Sequence, residues 1–384
     1  MSLEHHLYGE GPKHILALDG GGIRGIISLA FLEKVEKLLA EHYGTGNKFR
    51  LSDHFALIGG TSTGSIIATC LALGYSATEL IELYRVLSKN IFAQKQWLVG
   101  GLLAPKFPSK HLVDLLERHL GETTLGSNKL HCGLGVIAKR LDTHSTWLFH
   151  NHPRGPFYSH GDYSHHDMEF TANKNLLLPK LIRASTAAPT YFEPELIDIA
   201  PGVEGVFVDG GVSPHNNPAL MLFMLATIKG YGFRWPMGED KLHVLSIGTG
   251  AISPIGGDVK KKTPAAKLAF NSMMSLMSDC DSLVQTMMQW LGHCPAPWLI
   301  DSEIGDLSQD QLHQPACTYS RLNVRLNRQW LSENLDYDID DKTLQRISRI
   351  DQPGAVDLLL EIGRRSAENQ VGIEGLIVES QSGQ

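Results

Sequence analysis

Short apolar runs alternate with longer stretches of helical periodicity through the first quarter of the chain. Each of the first two apolar runs leads to a glycine-rich turn, which is typical of a buried strand that ends abruptly. The longer stretches repeat apolar residues at helical spacing, and glycines end two of them. The predicted elements are a strand at 14–18, a helix at 26–43, a strand at 55–58 and helices at 65–73 and 78–90. This order predicts a parallel sheet with helices on both faces.

The rest of the chain continues the pattern less regularly. Strands are predicted at 131–138, 206–209, 243–247 and 319–326, a loop rich in His, Pro and Gly at 144–166, and mostly helices in the final third. No Pro/Gly/Ser-rich linker divides the chain. We therefore expect one α/β domain at 13–330 with three layers, α/β/α, around a mostly parallel sheet. Residues 331–384 are expected to form a C-terminal helical segment packed on the same domain.

Composition narrows the class of protein. The 384 residues are 42% hydrophobic and carry a net charge of −7, which argues against a nucleic-acid-binding protein with a strongly basic face. The five cysteines are widely spaced and form no C-x-x-C pair, so neither a disulfide framework nor a zinc site is indicated, and a reducing cytoplasm is expected. No run reaches the roughly 18 apolar residues of a membrane span. If the substrate is a membrane lipid, the protein must reach it from solution, at the membrane periphery.

A candidate nucleophile lies between the second strand and the following helix. Gly60-Thr-Ser62-Thr-Gly64 is a G-x-S-x-G motif. A nucleophilic serine in this motif sits on a sharp turn with strained backbone angles, and the glycines leave room where side chains would clash. The N-terminus of the next helix would favour negative charge that develops at the site. An isolated motif is also compatible with an ordinary turn, but the apolar strand before it and the apolar helix after it favour the nucleophile.

The glycine loop at 19–25 has two interpretations. Gly20, Gly22 and Gly25 fit the dinucleotide fingerprint G-x-G-x-x-G. That motif also needs an acidic residue at the end of the next strand, and none is found there. Alternatively, the N–H groups of Gly20, Gly21 and Gly22 could line an oxyanion hole, which we favour. Arg24 would either brace this loop, the role we favour, or add positive charge near a lipid phosphate.

A serine nucleophile needs a base. The most distinctive acid is Asp209, which ends a buried strand and is followed by Gly210 and Gly211. Because carboxyl ends of parallel strands line one crevice, Ser62 and Asp209 are expected to meet there. An isolated Asp-Gly-Gly is more often a turn. Eighteen histidines also leave a Ser–His–Asp triad open, although none occupies a comparably distinctive position.

Taken together, the motifs resemble a known family. The segments 19–25, 60–64 and 209–211, with 183–192 as a fourth, are similar in kind and order to the signatures of patatin-like phospholipases. The resemblance implies a patatin-like three-layer fold, a Ser62–Asp209 dyad, an oxyanion hole from Gly20 to Gly22, and neither metal nor cofactor. It also implies release of fatty acids from glycerophospholipids during transient membrane contact. Ser65 departs from the family, which often has glycine at this position.

The resemblance extends to regulation. The size of the chain and its helical final part are similar to bacterial patatin-like effectors that cyclic nucleotides activate in phage defence. This implies a cyclic nucleotide activator that binds away from Ser62, and no nucleic acid partner; the oligomeric state stays open. Two alternatives also remain: an α/β-hydrolase esterase with a triad, and a non-enzymatic nucleotide-binding module that uses the loop from Gly20 to Gly25.

Four further segments have competing interpretations. The methionines at 273–288, with Trp290, most simply pack in a core, although they could contact lipid or an acyl chain. The apolar segment 96–105 is either a buried connector or a lid. The lysines at 260–262 form a solvated run or contact anionic headgroups. The histidines at 144–166 lack a metal-ligand spacing and are expected to lie in an ordinary polar loop.

Overall fold

The computed structural model of the chain describes residues 3–92, 107–159, 169–252 and 265–377. The segment 96–105, the lysines at 260–262 and His160, His165 and His166 lie outside the described residues. The interpretations given above for these segments therefore stay predictions.

One mixed sheet forms the centre of the described part of the chain. Its strand order is β5-β6-β3-β2-β1-β7-β8, and β4 also pairs with β3. The strands are β1 (Lys13–Leu18), β2 (Leu57–Thr61), β3 (Gly133–Arg140), β4 (Ser145–His150), β5 (Glu195–Ala200), β6 (Val203–Asp209), β7 (Leu242–Ile247) and β8 (Thr318–Leu322). The pairs along β3-β2-β1-β7-β8 are parallel. The predicted mostly parallel sheet is confirmed.

Helices cover both faces of this sheet. They are α1 (Leu3–Tyr8), α2 (Gly25–His42), α3 (Thr63–Ala72), α4 (Ala77–Phe92), α5 (Lys110–Leu120), α6 (Leu178–Ser185), α7 (Ala219–Thr227), α8 (Ala265–Leu291), α9 (Arg328–Leu335), α10 (Asp341–Ser348) and α11 (Val356–Gln370). In β1, Leu16 and Leu18 pack into the core on one face, and Ile15 and Ala17 into the core on the other. A strand buried on both faces is apolar at every position, which explains the continuous apolar run. The three-layer prediction is confirmed.

The middle of the chain differs from the prediction. Residues 145–150 form β4, antiparallel to β3, so the expectation of a loop throughout 144–166 is wrong. The His and Gly content from 150 onwards obscures Trp147, Leu148 and Phe149, which favour strands. Strand β5 was not predicted either. Among the described residues it pairs only with β6, at the edge of the sheet, and its buried apolar residue is Ile197, so its apolar signal is weak.

The last long helix, α11, packs on a helix of the first part of the chain. Helix α11 lies against α2, and a Cβ at Gly363 would come within 2.7 Å of the Ala30 Cβ. The predicted boundary at residue 330 falls inside α9 (Arg328–Leu335), and the division into 13–330 and 331–384 stays a prediction. Within the described ranges, no helix is both long and apolar enough to span a bilayer.

Candidate active site

The candidate site lies where two strands meet end to end on one edge of β3. At residues 135–137, β3 pairs with β2 on one edge and with β4 on the other. At residues 138–140, β6 replaces β2 on the first edge. Thr61 therefore pairs with Ile137, and Asp209 pairs with the next residue, Ala138.

Ser62 and Asp209 lie close together for a different reason than the sequence predicts. Strand β6 is antiparallel to β3, so Asp209 does not lie at the carboxyl end of a parallel strand. Instead, β6 enters from beyond the end of β3 and stops where β2 stops. Strands β2 and β6 therefore both leave the sheet at the same place, which brings Ser62 next to Asp209.

Ser62 occupies the sharp turn that the motif predicts. Its backbone has φ 54° and ψ −126°, a left-handed conformation that costs a non-glycine residue free energy of roughly 1–3 kcal/mol. A Cβ at Gly60 would clash with the Gly64 carbonyl, and one at Gly64 would clash with the Leu18 carbonyl. Both glycines are thus required for the close approach of strand, turn and helix. Helix α3 begins at Thr63, directly after Ser62.

The Ser62 hydroxyl and the Asp209 carboxylate are in direct contact. Ser62 Oγ donates a hydrogen bond to Asp209 Oδ2 at 2.5 Å. Asp209 Oδ1 accepts from the Gly211 N–H at 2.7 Å, which fixes the carboxylate plane. Burial raises the pKa of Asp209 to about 6, even though the bonds from Ser62 and Gly211 and the charge of Arg183 lower it. The carboxylate is therefore a stronger base than an exposed aspartate.

Ser185, at the end of α6, bridges the junction between the strands. Its Oγ accepts the Ser62 N–H at 2.9 Å and donates to the Ile137 carbonyl at 2.6 Å. Two residues later, the Ala187 carbonyl accepts the Asp209 N–H at 3.0 Å. Sequence reasoning singled out 183–192 but assigned Ser185 no role. The motif was the available signal, because the contacts themselves join residues about fifty to more than a hundred positions apart.

The glycine loop lies beside Ser62, and its three backbone N–H groups differ in whether they already donate a hydrogen bond. A Cβ at Gly20 would lie 3.1 Å from the Ser62 Cβ. The Gly20 N–H donates to the Asn216 carbonyl at 3.1 Å, so Gly20 would have to give up this bond to act as an oxyanion donor, and that role stays a prediction. The N–H groups of Gly21 and Gly22 donate no hydrogen bond among the described residues. These two remain as candidate oxyanion donors.

Buried polar contacts hold this loop in place. The Arg321 guanidinium binds both oxygens of Asp19 at 2.9 and 2.6 Å, and both side chains are buried. Arg24 Nη1 donates to the Gly250 carbonyl at 2.9 Å, a contact that supports the proposed bracing role. The Thr249 hydroxyl donates to the Gly20 carbonyl at 2.9 Å. The loop is thus fixed from β8 and from the segment after β7.

The dinucleotide interpretation of this loop does not fit the space in front of α2. The Ile350 carbonyl accepts the Ile23 N–H at 3.0 Å, and a Cβ at Gly22 would lie 2.5 Å from that same oxygen. A pyrophosphate would have to occupy the position of this carbonyl to reach the helix N-terminus. The segment before α11 therefore closes the place where a dinucleotide would bind.

A histidine base does not fit the geometry either. In the described part of the chain, no histidine hydrogen-bonds to Ser62 or Asp209, and both Asp209 oxygens accept other bonds. His215 is near Asp209 in sequence, and its backbone carbonyl accepts a hydrogen bond from the Thr61 hydroxyl. His14, His54 and His243 form a cluster at the amino ends of β1, β2 and β7, at the end of the strands opposite to Ser62. The described residues also contain no group of His, Cys, Asp and Glu arranged to hold a metal.

Comparisons with known proteins agree with the motif order. Residues 16–223 match the family model described as patatin-like phospholipase. A "cGAMP-activated phospholipase" of Escherichia coli (strain TW11681) is 32% identical over 239 residues, which cover 61% of each chain. A protein of the same name from Vibrio cholerae is 31% identical, covering 54% of this chain and 56% of the relative. Patatin-17 of Solanum cardiophyllum is 28% identical, covering 72% and 70%. The matches thus span less than two thirds of the two bacterial relatives.

Proposed function

The chain belongs to the patatin-like phospholipase family, and from that premise we propose that it is a serine lipid acyl hydrolase that cleaves fatty acyl esters of glycerophospholipids. Ser62 is the proposed nucleophile and Asp209 its base. The observation that carries this proposal is the 2.5 Å hydrogen bond from Ser62 Oγ to a buried carboxylate whose pKa is raised to about 6. Such a carboxylate is ionised at neutral pH yet basic enough to accept a proton during reaction.

The first half of the reaction transfers the acyl group to the enzyme. Asp209 takes the Ser62 hydroxyl proton while Ser62 Oγ attacks the ester carbonyl carbon. The carbonyl oxygen becomes an oxyanion, which the N–H groups of Gly21 and Gly22 and the N-terminus of α3 stabilise. The tetrahedral species collapses, the C–O bond to the glycerol breaks, and Asp209 returns its proton to the leaving alkoxide. A lysophospholipid leaves and an acyl-Ser62 ester remains.

The second half regenerates the enzyme. A water molecule takes the place of the alcohol, and Asp209 accepts its proton as the oxygen attacks the acyl carbon. The same two N–H groups stabilise the second oxyanion. When this intermediate collapses, Ser62 leaves with the proton from Asp209, and a free fatty acid is released. One carboxylate thus serves both steps because it gains and loses one proton in each.

The test is product analysis by mass spectrometry on mixed phospholipids. We expect wild-type protein to release fatty acids and lysophospholipids, and Ser62→Ala and Asp209→Asn to lose activity roughly a thousandfold or more. Labelling by a fluorophosphonate probe should disappear in Ser62→Ala. Singly substituting each histidine serves as the control and should preserve activity. Full activity in Asp209→Asn, or an essential histidine, contradicts the dyad and favours a triad.

Regulation by a cyclic nucleotide is part of the proposal. Two bacterial relatives carry the name "cGAMP-activated phospholipase", which supports a cyclic nucleotide activator and a role in phage defence. Action at the cytoplasmic membrane surface is a further part of the proposal. We expect phospholipid hydrolysis to rise when one member of a panel of cyclic dinucleotides is added. Equal rates with every member of the panel and without any nucleotide contradict the proposed regulation, but leave the hydrolase proposal intact.

A further inference from the structure

Helix α8 turns part of its surface toward the candidate active site. Met288 is fully buried, so the core interpretation of the methionines holds for this residue, whereas Trp290 is 44% exposed. The Met277 methyl carbon lies 3.5 Å from the position that a Cβ at Gly211 would take. Asp281 follows one helical turn later, on the same side of the helix as Met277. The reaction proposed above does not use this carboxylate.

The Asp281 carboxylate binds the segment 216–217 through both of its oxygens. Oδ2 accepts a hydrogen bond from the Asn216 side-chain amide and Oδ1 accepts one from the Asn217 N–H, both at 3.1 Å. A carboxylate can accept at both oxygens, whereas an asparagine in the same place has one oxygen. Asp281 therefore fixes the Asn216 side chain and, at the same time, the backbone that follows it.

On its other side, Asn216 lies between the glycine loop and the turn that follows Asp209. Its backbone carbonyl accepts the Gly20 N–H at 3.1 Å. Its side-chain oxygen would lie 2.4 Å from a Cβ at Gly20 and 3.0 Å from one at Gly211, so Asn216 fills the space between these two glycines. The Gly211 N–H in turn donates to the Asp209 carboxylate. A displacement of Asn216 would thus move the glycine loop relative to Asp209.

We propose that Asp281 is a positioning residue for acyl transfer, which acts by holding Asn216 between the glycine loop and the turn after Asp209. This inference rests on the proposed function. Within the described part of the chain, Asp281 makes no hydrogen bond to Ser62 or Asp209, so it acts through Asn216. The oxyanion forms only when Ser62 attacks. A misplaced glycine loop should therefore slow the chemical step and leave ester binding little changed.

The test compares two Asp→Asn variants of the full chain. Asp281→Asn keeps the side-chain shape but removes one of two acceptor oxygens, and Asp279→Asn, at an exposed position of the same helix, is the matched control. We expect kcat for a soluble short-chain ester to fall roughly ten- to a hundredfold in Asp281→Asn, with KM within about twofold of wild type. Fluorophosphonate labelling of Ser62 should also slow, because phosphonylation develops negative charge on an oxygen beside the loop. Asp279→Asn should match wild type in both assays.

A reciprocal exchange separates positioning from a general loss of structure. Asn216→Asp alone places two carboxylates against each other and should also reduce kcat. In Asn216→Asp/Asp281→Asn, the side-chain hydrogen bond can form again with donor and acceptor exchanged, and an amide oxygen still faces the Asn217 N–H. We expect the kcat of this double variant to lie at least about fivefold above the value that multiplying the two single losses gives. Recovery should be incomplete, because the negative charge then lies beside the glycine loop.

The outcomes distinguish this inference from the proposed function. If wild type hydrolyses esters and Asp281→Asn keeps the wild-type kcat, the positioning role is overturned and the proposed function stands. The role is also overturned if KM rises as much as kcat falls, or if the single losses simply multiply in the double variant, because Asp281 then only anchors α8. If wild type neither hydrolyses an ester nor reacts with the fluorophosphonate, the proposed function fails and the positioning role fails with it.

Circular dichroism and thermal unfolding verify that each variant is folded. Should Asp281→Asn not fold, Asn216→Ala takes its place, because it removes the side chain through which Asp281 acts and leaves the Asn217 N–H bonded. The same fall in kcat at an unchanged KM is expected. A wild-type kcat in Asn216→Ala overturns the proposal.

Discussion

The protonation state of Asp209 decides whether Ser62 can react. Burial raises the pKa of this carboxyl group to about 6, and only its ionised form can take the serine proton. We therefore expect kcat/KM for a soluble ester to rise about tenfold per pH unit below this value and to level off above about pH 6. A pH series from 4.5 to 8 measures this. A profile that is flat down to pH 5 contradicts the assignment of Asp209 as the base.

A substitution near Asp209 tests the cause of that profile. The buried Arg183 guanidinium lowers the pKa of Asp209 through its charge. Replacing it in Arg183→Met should therefore move the acidic limb of the pH profile to higher pH. An unchanged limb in a folded Arg183→Met protein indicates that a different group controls the profile.

Ser185 supports the strained turn without touching the reacting atoms. Its hydroxyl accepts the Ser62 N–H and donates to the Ile137 carbonyl, so Ser185→Ala removes a hydrogen-bond partner from two backbone groups at the strand junction. We expect kcat to fall roughly ten- to a hundredfold with little change in KM, because orientation is lost and not substrate binding. Steady-state kinetics on a soluble ester measures both constants.

The neighbouring residue provides the control for this experiment. Thr186 is also buried, but its hydroxyl donates to the Ile182 carbonyl within α6. Thr186→Val should therefore keep kcat close to wild type. Ser185→Thr retains the hydroxyl and should recover part of the lost activity. If Thr186→Val and Ser185→Ala reduce kcat equally, Ser185 has only a structural role.

Between elements, the pair Asp19–Arg321 ties β8 to the loop that follows β1. Both side chains are buried, and the contact is bidentate. Arg321→Met leaves the Asp19 carboxylate buried without its partner, which should lower the free energy of unfolding by about 3–5 kcal/mol. The double variant Asp19→Asn/Arg321→Met removes the stranded charge and should recover part of this loss. Chemical denaturation measures both; equal stability of wild type and Arg321→Met is the contradicting outcome.

The sequence predicts the elements of the parallel core much better than the antiparallel part of the sheet. Strands such as β1 are buried on both faces, so their apolar runs are visible without any knowledge of partners. The antiparallel direction of β6, and the edge strand β5, depend on which strands become neighbours. Local residue patterns do not encode that choice. The prediction that Ser62 and Asp209 lie close together therefore assumed a parallel β6, and the strand is antiparallel.

The candidate site shows the same division. Ser62, Asp209 and the glycine loop lie in local motifs whose residue types and spacing point to chemistry. Ser185 and Arg321 act through partners far away in sequence, and the bond that occupies the Gly20 N–H comes from Asn216, almost two hundred positions later. Contacts of this kind follow from the completed fold, so a single sequence did not identify them.

For the molecule as a whole, the C-terminal helices complete the layer that supports the site. Helix α11 covers α2, and the Ile350 carbonyl accepts the N–H of Ile23 beside the glycine loop. Removing 331–384 would expose the apolar residues of α2 and free the loop. We expect the truncated protein to be largely insoluble and its soluble fraction to lack hydrolase activity. A soluble, active 1–330 fragment, assayed beside the full chain, would show that these helices are dispensable.

The end-to-end junction of β2 and β6 has a consequence for control. Nucleophile and base are aligned by ladder bonds to adjoining residues of β3, so the pair is already complete in the resting protein. Under the proposed nucleotide regulation, an activator would therefore act on the access of substrate to Ser62 and not on the assembly of the Ser62–Asp209 pair. We then expect a compact phosphonate to modify Ser62 at the same rate with and without the nucleotide, and the hydrolysis of a long-chain lipid to depend on the nucleotide.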